Sequence, residues 1–360
     1  DYAFPVREFA FQSQGQSRVM AYLDVPPSRN ANGRTVLLLH GKNFCAGTWE
    51  ATIHALIGAG FRVIAPDQVG FCKSTKPMGY QFSFQQLAAN TAGLLDALGV
   101  DKVTVLGHSM GGMLTTRFAR QYPARVEQLM MVNPIGLEDW QAKGVPYATV
   151  DTAYAGELKT NFDGIKAYQL RFYYNGEWKP EYDRWVHMLA GMYNGPGKEV
   201  VAWNQAQTSD MVFTQPVVHE FNQLTMPVTL FIGGLDRTAP GANRASAELA
   251  QTLGAIPRTG PRRRQGDAAR HAGRIPRPRP LAAGRGTGGI PRRTARGPAT
   301  LIRALRMKKA GKPVWVCRPC CLHRFALLRA LDLVREGEFV DAAFVGEALA
   351  HGQGGELGVR

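Results

Sequence analysis

The sequence predicts an α/β protein, a mostly parallel sheet flanked by helices, on three observations. Short β-rich runs alternate with helical patterns from residue 34 onward, most helical patterns stop at a Gly or Pro, and one glycine-rich turn joins a β-rich run directly to a helix. Residues 34–40 (RTVLLLH) read as a strand entering a Gly loop, and 48–60 as a helix with a Gly stop. Residues 61–67 (FRVIAPD) form a second strand, followed by a loop with Gly70, Lys73 and Pro77. An amphipathic helix over 83–98 closes at Gly99, a strand over 102–107 (KVTVLG) follows, and a helix over 112–122 ends at Pro123. Residues 126–133 and 228–233 are two further strands. Residues 6–12 and 18–24 read as an antiparallel hairpin at the sheet edge.

The chain divides into four parts: a first core segment (1–135), a mostly helical lid insertion rich in Trp, Tyr and Phe (136–224), a short core segment with an acid-bearing strand and helix (225–254), and a tail (255–360). Most of the insertion's aromatics are expected to pack its own core, and about a third to face a substrate pocket. The tail holds 22 Lys+Arg against 7 Asp+Glu and so carries the whole formal charge of +15; residues 1–254 hold 21 of each. A basic-protein reading therefore applies to the tail alone. No apolar run reaches the ~20 residues of a membrane span. The chain starts at Asp1 without Met, which suggests a processed or trimmed N-terminus. Five cysteines make no disulfide framework, though Cys45 and Cys72 could form one bridge in an oxidising compartment.

Chemistry concentrates at Gly107, His108, Ser109, Met110 and Gly111, a Gly-x-Ser-x-Gly turn between strand and helix. The glycines let the turn close, the Ser109 hydroxyl is presented above the sheet, and the helix N-terminus directs N–H groups toward developing negative charge. His40, Gly41, Lys42 and Asn43 end an earlier strand. The Lys42 N–H, or that of Asn43, is the expected partner of the Met110 N–H in an oxyanion hole, and His40 is read as a packed histidine orienting the loop. Asp236 ends a late strand, where an acid that orients a catalytic histidine would sit.

These motifs resemble the α/β-hydrolase superfamily, in particular its lid-bearing serine branch. The resemblance covers roughly residues 5–254 through LLLHGKNF, APDQVGFCKSTKP, VLGHSMGG, MMVNP and FIGGLDRTAP, in that order. It implies an α/β-hydrolase fold with Ser109 and Asp236 as catalytic residues, Met110 and Lys42 at the oxyanion hole, and no cofactor or metal. The implied activity is cleavage of a small, largely apolar ester or lactone. Iminopeptidase, C–C bond hydrolase or perhydrolase chemistry, or an inactive hydrolase-like binding protein, are the alternatives. Serine at the elbow argues against relatives that use Asp there. HGKNFCAGTWE with PDQVGFCKS looks like bacterial hydrolases often made with a signal peptide. That similarity implies a periplasmic or secreted location and a Cys45–Cys72 bridge, with a cytoplasmic location and small buried thiols as the alternatives.

The resemblance also implies a general base on a Gly-His-x-Pro loop after one more strand, and no such strand or loop is legible after Asp236. His271, His323 and His351 are the remaining candidates. Between Ala250 and Leu331 a single acid, Asp267, stands among many Arg, Pro and Gly, a composition that fits a reading-frame slip near Gly254. One back-translation of residues 271–283, read from its second base, gives Thr-Leu-Val-Glu-Phe-Pro-Asp-Leu-Gly-His-Ser-Pro, with the histidine spanning the codons of Pro280 and Leu281. Other readings of the tail are weaker. Cys317, Cys320, Cys321 and His323 lack the second paired cluster of a zinc site. The Arg-rich run lacks the signatures of a nucleic-acid fold, so no nucleic-acid partner is expected. The tail is read as irregular, with helical patterns only at 322–333 and 339–350.

Overall fold

A computed structural model describes residues 2–233 and 236–254, and the backbone course of 302–307 and 314–319. The strands are β1 (Val6–Ser13), β2 (Gln16–Val25), β3 (Thr35–Leu39), β4 (Arg62–Pro66), β5 (Val103–His108), β6 (Val126–Val132), β7 (Val228–Gly233), β8 (Ile302–Met307) and β9 (Val314–Pro319). They form one sheet in the order β1-β2-β4-β3-β5-β6-β7-β9-β8. β4, β3, β5, β6 and β7 run parallel, while the β1–β2 hairpin joins β4 antiparallel at one edge.

Alternation in β3 shows why the sheet is covered twice. Val36 and Leu38 enter one core with Ile53 and Leu56 of α1 (Glu50–Gly58). Leu37 and Leu39 enter the other, with Leu87 and Leu94 of α2 (Phe84–Ala97) and Leu114 and Phe118 of α3 (Met110–Gln121). A strand buried on both faces must be apolar at every position, and VLLL satisfies that. Ser83 caps α2 by accepting from the Gln86 N–H at 3.0 Å, so the helix starts where the sequence placed it.

Between β6 and β7 lie α4 (Val150–Glu157), α5 (Phe162–Phe172), α6 (Asp183–Ala190) and α7 (Lys198–Thr214). Two small clusters hold this insertion together: Ile165 with Val186 and Leu189, and Tyr193 with Val201 and Ala202. Trp140, Val145, Met211, Val212 and Phe213 anchor the insertion in the main core, and side-chain amides of α7 add polar contacts to the body. The Asn204 amide donates to Pro77 O at 2.8 Å, Gln205 to Gly70 O at 3.1 Å, and Gln207 to Tyr80 O at 2.9 Å. A last short helix, α8 (Ala247–Thr252), follows β7.

The tail corrects one expectation. It was read as irregular, yet β9 pairs antiparallel with β7 and β8 with β9. Pairing satisfies the N–H and C=O groups along an open edge of β7, a tertiary demand that averaged composition does not reveal. β9 runs antiparallel to β7, and β8, antiparallel to β9, runs in the direction of β7 but is separated from it by β9. No tail strand among the described residues is therefore paired parallel with β7, as the resemblance implied. His271, His323, His351 and the helical patterns at 322–333 and 339–350 lie outside the described residues. Among the described residues no helix is long and apolar enough to cross a membrane.

Candidate active site

The turn between β5 and α3 is tight enough to dictate its own sequence. Ser109 sits at φ 54°, ψ −119°, a conformation costly for a residue with a side chain. A Cβ on Gly111 would lie 2.1 Å from Leu39 O, so only glycine lets α3 begin against β3. The Ser109 carbonyl accepts from the Gly112 N–H at 2.9 Å and the Ile135 N–H at 3.3 Å, which fixes the turn from inside. α3 starts at Met110, two residues earlier than the sequence pattern suggested. The Met110 N–H therefore belongs to the first helical turn, whose donors have no carbonyl four residues back.

The loop after β3 approaches from the other side. A Cβ on Gly41 would stand 3.0 Å from the Ser109 Cβ, so the loop backbone and the serine are neighbours. The Phe44 N–H donates to Gly41 O at 3.1 Å and closes a turn. Among the described residues no backbone hydrogen bond takes the N–H of Lys42 or of Asn43. The Lys42 side chain points away into an ion pair with Glu157, Nζ to Oε1 at 2.7 Å. Glu157 also accepts from the Tyr193 hydroxyl at 2.7 Å. Burial disfavours its charge, but Lys42, Tyr193 and Thr160 outweigh that and hold the carboxyl below the usual range.

His40 is a loop-orienting residue, as expected. Its Nδ1 is 2.9 Å from Gly41 O, and its Nε2 accepts from the Gln68 N–H at 2.9 Å, so both ring nitrogens are engaged. Burial lowers its pKa. His108, also buried, packs against Phe44 with ring centroids 5.2 Å apart. Burial first, then the nearby His40, brings its pKa down to about 3. Neither ring is therefore charged near neutral pH.

Asp236 stands just past the end of β7. Its N–H donates to Gly233 O at 3.0 Å, and its Oδ1 accepts from the Thr238 N–H at 2.8 Å. The strand end is set by Asn133, at φ 40°, whose Oδ1 accepts from the Gly233 N–H at 2.7 Å. The negative charge of Asp236 is felt by two tyrosines of the insertion, Tyr168 and Tyr173.

Those tyrosines are what sequence reasoning missed. The Tyr173 hydroxyl lies near the side chains of Ser109 and Asn43, and the Tyr168 hydroxyl near those of Tyr173 and Asn43. The Tyr173 ring packs edge-on to Phe44 at 5.1 Å, which seats it beside the elbow. Burial raises its pKa well above the ordinary value, so it stays a neutral donor. The aromatic richness of the insertion was the available signal, but it did not separate these two from Tyr174, which stacks on Tyr182 at 4.0 Å inside the insertion. Ser109, Met110, the Lys42–Asn43 backbone and Asp236 thus gather at one edge of the sheet, together with Tyr168 and Tyr173.

Behind this edge, Cys45 and Cys72 form a disulfide, which settles in favour of a bridge what the sequence left open. The buried Asp67 accepts from the Tyr2 hydroxyl at 2.6 Å, the Ala46 N–H at 2.7 Å and the Lys73 N–H at 3.1 Å, tying the loops after β3 and β4 together.

Known proteins share this architecture. A structure from Pseudomonas aeruginosa PAO1, described as a probable hydrolytic enzyme, is 62% identical with a TM-score of 0.69, over 71% of this chain and 81% of that one. The 2-hydroxy-6-oxo-2,4-heptadienoate hydrolase of Pseudomonas putida is 36% identical over 107 residues, 29% of this chain and 39% of its own length. The 2-hydroxy-6-oxo-6-phenylhexa-2,4-dienoate hydrolase of Burkholderia cepacia is 38% identical over 108 residues, 29% and 38% of the two chains. The chain thus spans well under two thirds of either dienoate hydrolase. The sequence pattern of the α/β hydrolase fold matches residues 34–264 and stops where the Arg-rich tail has begun. With that match, the parallel sheet and the strand–turn–helix at Ser109, the chain belongs to the α/β hydrolase fold family.

Proposed function

We propose that this protein is a serine hydrolase that cleaves small, largely apolar carboxylic esters or lactones through an acyl-enzyme on Ser109. The observation that carries the reading is the backbone of Ser109, held at φ 54° on the first turn of α3 with the Gly41–Asn43 loop against it. A strained conformation of this kind persists only where the surroundings enforce it, and here it presents a hydroxyl between two sets of backbone donors. Ser109 attacks the carbonyl carbon and its proton passes to a histidine that Asp236 orients. The oxyanion is bound by the N–H groups of Met110 and Lys42, with Asn43 as the alternative donor. The histidine comes from outside the described residues. Collapse of the tetrahedral intermediate expels the alcohol, and water then releases the acid.

The insertion acts as a lid. Tyr173 and Tyr168 narrow the space above Ser109 and, as neutral donors, favour a substrate with an acceptor oxygen there. The Cys45–Cys72 bridge supports residence in an oxidising compartment, periplasmic or extracellular.

Hydrolysis of short p-nitrophenyl esters tests the reading. Ser109→Ala should lower kcat by at least about 10⁴-fold with its fold intact; retained turnover would remove Ser109 from the chemistry. Labelling by a fluorophosphonate reports the histidine separately. Rapid labelling requires an activated serine, whereas slow labelling marks a hydrolase body whose base is not supplied by this tail.

A second reading, C–C bond hydrolysis, is favoured by the names of the Pseudomonas putida and Burkholderia cepacia relatives. Turnover of a 2-hydroxy-6-oxo-dienoate, with none of the p-nitrophenyl esters, would select it.

A further inference from the structure

A cavity of about 600 Å³ lies between the body and the insertion, and Ser109 is not among its lining residues. The loop after β4 contributes Lys73 and Lys76, and α6, α7 and their link contribute Met188, Met192, Val200 and Val201. The Cys45–Cys72 disulfide closes it on the side of the elbow, because Cys72 Sγ contacts Phe44 O at 3.7 Å and Phe44 packs on Tyr173. Its volume is that of a small-molecule site, which in general spans roughly 300–1,000 Å³.

The charge in this cavity is only partly compensated, two lysines against one nearby acid, Asp67. Among the described residues neither lysine ammonium forms an ion pair. Lys73 lies over the Tyr2 ring at 5.2 Å, and Lys76 donates to the Cys72 carbonyl. Asp67 accepts from the Tyr2 hydroxyl and the N–H groups of Ala46 and Lys73 and acts on Lys76 only through space. Burial lowers the pKa of Lys76, and the neighbouring Lys73 adds to that, against the raising effect of Asp67. An anion in the cavity would relieve both costs. The facing side chains, two methionines and two valines, offer an apolar surface, and methionine adapts to flexible chains.

We propose that this cavity is a second binding site for a small amphiphilic anion, a monocarboxylate with an aliphatic tail. The carboxylate sits between Lys73 and Lys76, and the tail lies along Met188, Met192, Val200 and Val201. The site is independent of the chemistry at Ser109, since it needs no turnover and no catalytic histidine.

Decanoate is the probe, titrated calorimetrically into the full chain beside decanol and decyltrimethylammonium. Decanoate should bind at least about tenfold more tightly than decanol, and the cation more weakly than either. The double variant Lys73→Gln/Lys76→Gln should lose that advantage, while Lys102→Gln, an exposed lysine elsewhere, should keep it. A diazirine-bearing decanoic acid, photolysed with the unmutated protein, should mark residues within 188–201. Equal affinity for decanoate and decanol overturns the proposal, as does undiminished binding by a double variant with unchanged circular dichroism. Photolabelling confined to other segments also overturns it and would place the carboxylate elsewhere, the Ser109 cleft included.

Discussion

The β5–α3 turn and the helical insertion face each other across the candidate site, and they are held in opposite ways. At the turn the constraint is steric and covalent in scale: a methyl group on Gly111 would overlap a carbonyl oxygen, and the Ser109 backbone has no freedom left. The insertion is anchored in the main core by Trp140, Val145, Met211, Val212 and Phe213, while its outer part, α4 to α6 and the start of α7, has two small apolar clusters of its own and side-chain hydrogen bonds and ion pairs to the body. Packed cores have few alternative arrangements, whereas polar latches can open at modest cost. The part that must place a reacting atom is therefore rigid. The outer part of the insertion, at α4 and α6, is held to the body by ion pairs that water can replace.

Substitutions at the two regions should separate them. The largest effect is expected at the turn: Gly111→Ala should cost more than about 3 kcal/mol of global stability, read from the urea midpoint, because backbone must move to admit the methyl. A loss near zero would show the turn to be as yielding as the insertion. Next is the bridge between the two loops behind the site. Cys45→Ser/Cys72→Ser releases a constraint across 27 residues and should cost about 3 kcal/mol by the same measurement.

Glu157→Gln breaks the latch rather than the body. Removing the charge opposite Lys42 should cost about 1–3 kcal/mol, seen as faster amide exchange in α4–α7 while β5 and α3 stay protected. The pH dependence has a definite sign. The folded pKa of Glu157 lies below its unfolded value, so its contribution is complete above the unfolded pKa and is lost as pH falls through the folded one. Acid should therefore loosen the insertion in the native protein but not further in Glu157→Gln, which exchange at pH 3–6 would reveal. The smallest effect is expected from Asn161→Ala, which removes the cap on the Gly164 N–H at 2.9 Å and should cost about 1 kcal/mol, confined to α5. Global unfolding on that substitution would mean that the insertion and body fold as one unit.

Legibility in the sequence followed the same division. Ser109 and Met110 were readable because the elbow is local, with glycines and serine adjacent in the chain. Asp236 was readable because strand order places the end of β7 beside β6. Tyr168 and Tyr173 were not readable, since Tyr173 and Tyr174 are consecutive in sequence yet one reaches Ser109 and the other stacks within the insertion. Nor could Lys42 be matched in advance to Glu157, 115 positions away.

By itself the sequence determined the alternation of strands and helices, the turn at Ser109 and the placement of an acid after β7. These depend on steric limits and hydrophobic periodicity that act over a few residues. Only the tertiary structure decided that the Lys42 side chain pairs with Glu157, and that Cys45 meets Cys72. It also decided that β9 of the tail pairs along β7 with β8 beyond it, and that two lysines share a cavity where no described carboxylate forms an ion pair with either. Each of these depends on what distant segments bring within a few ångströms, and contact energies at that range leave no periodic trace in the chain.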